Sequence, residues 1–284
     1  MKKRFAIIFS VLAGLAMCVS PSDAVAKKKH CDELTVISYN VRLVTTDDGD
    51  NQWKYRAPAT PAMIKDYCPD IFGVQEAVLE QLEYMDKHLS NYSYVGVGRE
   101  NGKQRGETMA IFYNTKRVKL LDWGTYWLSE TPDVPSRGWD AACRRTVTWT
   151  LMEMKDSGKR FFYVNTHLDH VGTEARQKGL DLIVGKIAGM NPDNLPMVLT
   201  GDFNVLPDNP ALTELNTKMK DARRTAEKTD CRATYNGWGR FSSVIDYIYY
   251  DGFTSCPEYE TIVCQYKNIP YISDHYPIVA RLVF

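Results

Sequence analysis

Apolar residues recur along this chain in two rhythms, one of two residues and one of three to four. Residues 33–41, 70–75, 92–97, 108–114, 118–128, 143–155, 160–169, 197–202, 244–248 and 277–283 are rich in β-branched and aromatic side chains. Most are bounded by Gly, Pro, Asn or Asp, and they predict strands. Val78, Leu82, Met85 and Leu89 stand at i, i+4, i+7 and i+11, the spacing of one helical face. Shorter helical patterns cover residues 61–67 and the stretch after Pro210. Thr173 is a candidate cap for a helix reaching residue 190, with Leu180, Ile183, Val184 and Ile187 inward. Many strands with three or four helices, without strict alternation, favour two packed sheets flanked by helices over a doubly wound parallel sheet.

The first residues follow a different rule. Lys2, Lys3 and Arg4 precede an apolar run over residues 5–19, and Ala24-Val25-Ala26 offers a small-x-small cleavage site. This reads as a secretory signal peptide, and the run is too short for a membrane span. Leu15-Ala16-Met17-Cys18 resembles a lipoprotein box, but Met17 fits poorly where a small residue is required, so cleavage after Ala26 is preferred. The expected product is an exported protein, periplasmic or extracellular, with one catalytic domain over residues 27–284 and no linker or repeat. A monomer is expected.

Removing the leader takes three of 35 basic residues and one of 35 acidic ones, leaving 32 against 34 and a net charge of −2. A protein built to grip polynucleotide phosphates carries a basic excess, and this one does not. Six cysteines remain, none with CxxC spacing, and they serve as buried small hydrophobes as readily as bridges. No Gly-x-Ser-x-Gly occurs and no cysteine has a nucleophile's context, which excludes the common serine and cysteine hydrolases.

The candidate chemistry lies where apolar strands end. Asn40, Glu76, His167, Asp202, Asn204, Asp274 and His275 all hold such positions, so one rim would collect them. Residues i and i+2 of a strand share a face, which pairs Asp202 with Asn204 and His167 with Asp169. Singly each is weak: Gly201-Asp202 also spells a turn, and Glu76 also suits a helix N-terminus. Asp246 sits within an apolar run, where a carboxylate needs a partner. Carboxylates and a carboxamide with no nearby thiol select a hard cation, Mg²⁺ or Mn²⁺. Glu76, Asn40 and Asp274 would hold it, Asp202 would orient or deprotonate a water, and His167 and His275 would donate to phosphoryl oxygens or the leaving group. That is metal-assisted hydrolysis of a phosphate ester: a sugar phosphate, a phosphodiester of a lipid or glycan, or nucleic acid.

Six short motifs occur in order: Ser38-Tyr39-Asn40, Gln75-Glu76, Asn165-Thr166-His167-Leu168-Asp169, Gly201-Asp202-Phe203-Asn204, Ile245-Asp246-Tyr247 and Ser273-Asp274-His275. In this the chain resembles the endonuclease/exonuclease/phosphatase superfamily, whose members include DNase I-like nucleases, inositol polyphosphate 5-phosphatases, neutral sphingomyelinases and deadenylases related to nocturnin. The resemblance implies a four-layer α/β sandwich of two mostly antiparallel sheets flanked by helices. It implies metal binding by Asn40, Glu76 and Asp274, water positioning by Asp202, and phosphoryl contacts from Asn204 and His167. Asp246 would orient His275, and Asp169 would bind metal or stand behind a ligand. The run from Trp127 to Pro132, with Gly138-Trp139-Asp140 and Arg145, resembles a secreted bacterial branch. Arg145 would contact phosphate or form a structural ion pair. Arg42 departs from the nucleases, which often carry an acid there; it would read a second phosphate or pair with a surface acid. Trp53, Trp139 and Trp238 are candidate stacking platforms for a sugar or base, or packing residues. A secreted nuclease and a non-catalytic binding module on the same scaffold are the rival readings.

Overall fold

In the computed structural model, residues 32–284 are described; the leader, Cys18 and Cys31 lie outside them. The strands, in chain order, are β1 (Glu33–Asn40), β2 (Ile71–Gln75), β3 (Tyr92–Val95), β4 (Ile111–Asn114), β5 (Val118–Trp127) and β6 (Thr146–Met154). They continue as β7 (Arg160–His167), β8 (Met197–Asp202), β9 (Lys220–Asp221), β10 (Asp246–Asp251), β11 (Ser255–Thr261) and β12 (Ile278–Val283). The helices are α1 (Trp53–Arg56), α2 (Ala59–Tyr67), α3 (Leu79–His88), α4 (Thr173–Met190), α5 (Thr213–Lys218) and α6 (Ala222–Thr225). Among these residues no helix is long and apolar enough to cross a membrane.

One six-stranded sheet runs β11-β12-β1-β2-β4-β3 and the other β5-β6-β7-β8-β10-β9. Both faces of each sheet are covered, which explains the near-continuous apolar strands. In β1, Leu34 and Val36 enter the core between the sheets, while Ile37 and Tyr39 enter a second core beneath α2 and α3. In β7, Phe161 and Tyr163 face the middle, while Phe162 and Val164 pack outward against Leu180, Ile183 and Leu215 of α4 and α5. Helices, sheet, sheet and helices make the expected four layers.

The strand predicted from the sequence over 244–248 begins at Asp246, so that carboxylate stands at a strand's first residue and not in its middle. β11 went unpredicted because Pro257, Glu258 and Glu260 interrupt its apolar pattern; such residues are tolerated on an edge strand. Of the cysteines, Cys256 is buried in the middle core as a small hydrophobe, whereas Cys68 and Cys231 are exposed.

Thr173 does not cap α4. The N-cap is Gly172, and the first-turn backbone N–H groups of Glu174 and Ala175 donate to the carboxylate of Asp140, at 3.2 and 2.7 Å. A side chain on Gly172 would strike that carboxylate, since its Cβ would lie 2.5 Å from Asp140 Oδ1.

A polar knot joins the two sheets close to the rim. Asn165 accepts from Gln75 Nε2 at 2.7 Å and from Thr200 Oγ1 at 3.2 Å, and donates to the carbonyls of Val74 and Ala110. Asn165 uses both its oxygen and its nitrogen across the sheets, so this buried group helps specify how they sit on one another, although Gln75 Oε1 is left without a partner. Gly73 leaves room for it: a Cβ there would come within 2.5 Å of Asn165 Cγ.

Candidate active site

Topology brings the polar strand ends together. β1 and β2 are parallel, with Asn40 opposite Gln75, and β7 and β8 are parallel, with His167 opposite Asp202. Their C-terminal ends therefore share one edge of the sandwich. β10 and β12 run antiparallel to β8 and β1, so their N-terminal ends, at Asp246 and just after Asp274-His275, arrive at the same edge. A cleft of about 490 Å³ opens there.

Three residues leave these strands with left-handed backbone: Arg42 at φ 61°, Glu76 at 63° and Asn204 at 52°. Each such conformation costs on the order of 1–3 kcal/mol and is kept where surrounding contacts over-determine it. Glu76 therefore does not sit in the first turn of α3; it precedes the helix by three residues, and its turn aims it into the cleft. Asn204 likewise reaches the cleft through a turn, because β8 ends at Asp202 and the i, i+2 rule no longer applies. Its backbone N–H donates to Asp202 Oδ1 at 3.0 Å, and its Nδ2 lies 3.1 Å from both His167 Nε2 and the Leu168 carbonyl.

Around these turns the side chains converge. Asn40 Nδ2 donates to Glu76 Oε1 at 3.0 Å and to Asp202 Oδ2 at 3.1 Å, while its Oδ1 accepts the Arg42 N–H at 3.0 Å. In this arrangement Asn40 bridges two carboxylates, and its oxygen is occupied. Glu76 Oε2 also accepts the Leu43 N–H at 2.8 Å. Ligand atoms of Glu76, His167 and Asp202 lie within 4.8 Å of one another, as do those of Asp202, Asp246 and His275. Asp274 lines the same cleft, but its nearest charged partner is Arg42, 3.4 Å away.

Asp246 finds the partner its burial requires: its two carboxylate oxygens lie 2.9 and 3.1 Å from His275 Nδ1. Burial alone would drive His275 neutral, but Asp246 and Asp202 together outweigh it and push its pKa up to about 10. Asp202 moves upward too, through burial and the facing Asp246, against the pull of His275. His167 goes the other way. Burial, then the charges of Arg145 and Arg99, hold it well below the usual histidine range. A neutral His167 accepts from Asn204 at Nε2 and carries its proton on Nδ1, which faces Glu107 Oε2 at 3.9 Å.

Two site expectations need correction. Asp169 does not share His167's face, because β7 ends at His167. Its carboxylate accepts four backbone N–H groups, from Ala142, Cys143, Val171 and Gly172, and meets Arg145 Nε at 3.3 Å. Burial opposes ionisation, but those N–H groups prevail and lower its pKa, so it braces loops and does not line the cleft. The tryptophans are not platforms within the cleft either. Trp53 is buried against Arg56, whose guanidinium also lies 5.5 Å from the Trp238 ring, and Trp139 packs near Lys178. The aromatic that lines the cleft is Tyr235, whose ring lies 4.9 Å from that of His275.

Arg42 is paired with acids, one of the two readings of it. It lines the cleft, and its Nε and Nη2 grip Asp48 at 3.0 Å each. The sequence reading missed Glu107 and Arg99. Glu107 lines the cleft, 7% exposed, with its oxygens 2.7 and 2.8 Å from the Arg99 guanidinium. The one signal was a Glu leading an apolar strand-like run, which is also what a surface strand shows.

A family model described as the Endonuclease/Exonuclease/phosphatase family matches residues 37–275. The chain belongs to that family, one of phosphoesterases and nucleases. Among solved structures, a mannosyl-6-phosphatase from Bacteroides thetaiotaomicron is 36% identical, with 88% of this chain and 100% of that one covered at a TM-score of 0.85. An endonuclease/exonuclease/phosphatase from Bacteroides vulgatus is also 36% identical, covering 88% and 98% at a TM-score of 0.83. The catalytic domain of human nocturnin, solved with a bound sulfate anion, shares the fold at 19% identity, 89% and 94% coverage and a TM-score of 0.71.

Proposed function

We propose that this protein is an exported, divalent-metal-dependent phosphomonoesterase acting on a phosphorylated sugar. The observation that carries the hydrolytic reading is the close grouping of Glu76, His167 and Asp202 in the cleft, beside His275 with Asp246 behind it. The sugar-phosphate reading draws support from the mannosyl-6-phosphatase, alike over the whole of its own length. The absence of a basic excess speaks against long polynucleotides.

The donor set fits a hard cation. Glu76 and Asp202 converge and Asp274 lines the same cleft, three carboxylates of the kind such an ion takes. Mg²⁺ or Mn²⁺ held on Glu76 with these neighbours would supply Lewis acidity and offset phosphoryl charge. The remaining work falls to the chain. Asp202, its proton affinity raised, accepts the proton of the attacking water. His275, kept cationic by Asp246, donates from Nε2, 3.7 Å from Asp202 Oδ2, to a phosphoryl oxygen whose charge grows in the transition state. Asn204 holds the His167 ring through Nε2, and Asn40 holds the two carboxylates in register.

The test is direct. The purified protein is assayed with Mg²⁺ or Mn²⁺ on hexose 6-phosphates, p-nitrophenyl phosphate and bis(p-nitrophenyl) phosphate. Monoesters are expected to turn over fastest, with activity lost in EDTA and restored by added metal. Glu76→Ala and Asp202→Ala are expected to lose roughly a factor of 10³. Full turnover in either variant, or a preference for the diester, would defeat the proposal.

A further inference from the structure

Within the cleft, Arg145 has an unused donor. Its Nε meets Asp169 Oδ2 at 3.3 Å and its Nη2 donates to His170 Nδ1 at 3.0 Å, while Nη1 is buried without any partner in the protein. The residue is 5% exposed and lines the cleft. Buried guanidinium N–H groups are rarely left unsatisfied, because each has given up its hydrogen bond to water. Facing the same space is Glu107, an acceptor held by Arg99.

The charges here balance: Arg99 and Arg145 stand against Glu107 and Asp169. A second anionic group would gain little here and would have to approach Glu107. A hydroxyl group is both donor and acceptor. A free guanidinium N–H in the same cleft as a carboxylate therefore matches a pair of sugar hydroxyls better than it matches phosphate, which only accepts. The cleft's volume also falls in the range of small-molecule sites, larger than a phosphoryl group requires.

From this we infer that Arg145, with Glu107, forms the subsite that reads the hydroxyl groups of the leaving sugar, making Arg145 a specificity-determining residue. The inference rests on the phosphomonoesterase reading. It goes further by dividing the cleft into a phosphoryl half around Glu76, Asp202 and His275 and a polyol half around Arg145.

The experiment compares kcat/KM for a hexose 6-phosphate with that for p-nitrophenyl phosphate, whose leaving group has no such hydroxyls, in wild type, Arg145→Met and Arg145→Lys. In Arg145→Met the ratio is expected to fall at least tenfold, chiefly through KM for the sugar, with part of the loss recovered in Arg145→Lys. A ratio that stays constant overturns the inference, whether both rates hold or both fall together, since the arginine would then serve the fold or the phosphoryl group. Wild-type protein supplies a second arm that needs no variant to fold. Among deoxyhexose 6-phosphates, at least one is expected to drop at least tenfold in kcat/KM, and equal rates for all would overturn the subsite. Wild type that turns over no monoester at all would defeat the underlying reading and this inference with it.

Discussion

Replacing Asp246 by Asn tests the electrostatics of the site in one step. The substitution preserves shape and leaves an oxygen to accept the His275 Nδ1 proton, but removes a carboxylate that is 2% exposed and lies 2.9 Å from that nitrogen. A hydrogen bond to a charged group contributes about 1.5–3 kcal/mol, and one pKa unit corresponds to 1.36 kcal/mol. The pKa of His275, about 10 in the native protein, should therefore fall by roughly one to two units. Asp202 faces Asp246 across β8 and β10, and its pKa is raised in part by that neighbour. It should fall as well.

Both limbs of a bell-shaped profile of kcat/KM then move to lower pH: the acid limb with Asp202 and the alkaline limb with His275. The sign also applies to folding. A histidine whose pKa is raised by folding contributes stability that is fully present below its unfolded value near 6.5 and is lost as pH rises toward about 10. In Asp246→Asn the loss should still begin near 6.5 but be smaller and complete at lower pH, visible as a shallower alkaline decline in Tm that ends sooner. Activity at neutral pH should fall about 10- to 100-fold. If activity falls while both limbs stay in place, Asp246 only holds the loop, and the argued charge coupling is wrong.

Two further predictions concern the scaffold. Asn165→Leu leaves Gln75 Nε2 and the carbonyls of Val74 and Ala110 short of a partner in the buried knot between the sheets; a loss of about 3 kcal/mol is expected in urea unfolding, and less than about 1 would show the knot to be incidental. Asp140→Ala removes the acceptor at the N-terminus of α4; about 1 kcal/mol and a Tm drop of roughly 2–4 °C are expected, and an unchanged Tm would mean that water caps the helix equally well.

How far the site was readable follows from the range of the interactions that make it. Strand ends were legible at Asn40, His167 and Asp202 because each closes a near-continuous apolar run, the mark of a strand buried on both faces of its sheet. The four layers followed from the same pattern. Side-chain direction was legible only while the strand lasted. Beyond β7 and β8 the aim of Asp169 and Asn204 is set by turn dihedrals and by distant hydrogen-bond partners, so the i, i+2 rule sent Asp169 to the wrong face and reached Asn204 for the wrong reason.

Composition and local pattern, then, determined that the strands exist, that polar groups stand at their ends and that a hard-ligand phosphoesterase chemistry is available. Only the tertiary structure decided that β1 with β2 and β7 with β8 run parallel while β10 and β12 return to the same edge, which places Asp246 on His275 and Glu76 beside Asp202. It also enlisted Glu107, Arg99 and Asp140, whose local sequence marks them as ordinary surface residues. Their roles come from charges and donors contributed by segments about 10 to 60 positions away. Hydrophobic periodicity is a property of neighbours along the chain, whereas partner choice and pKa depend on what folding brings within a few ångströms.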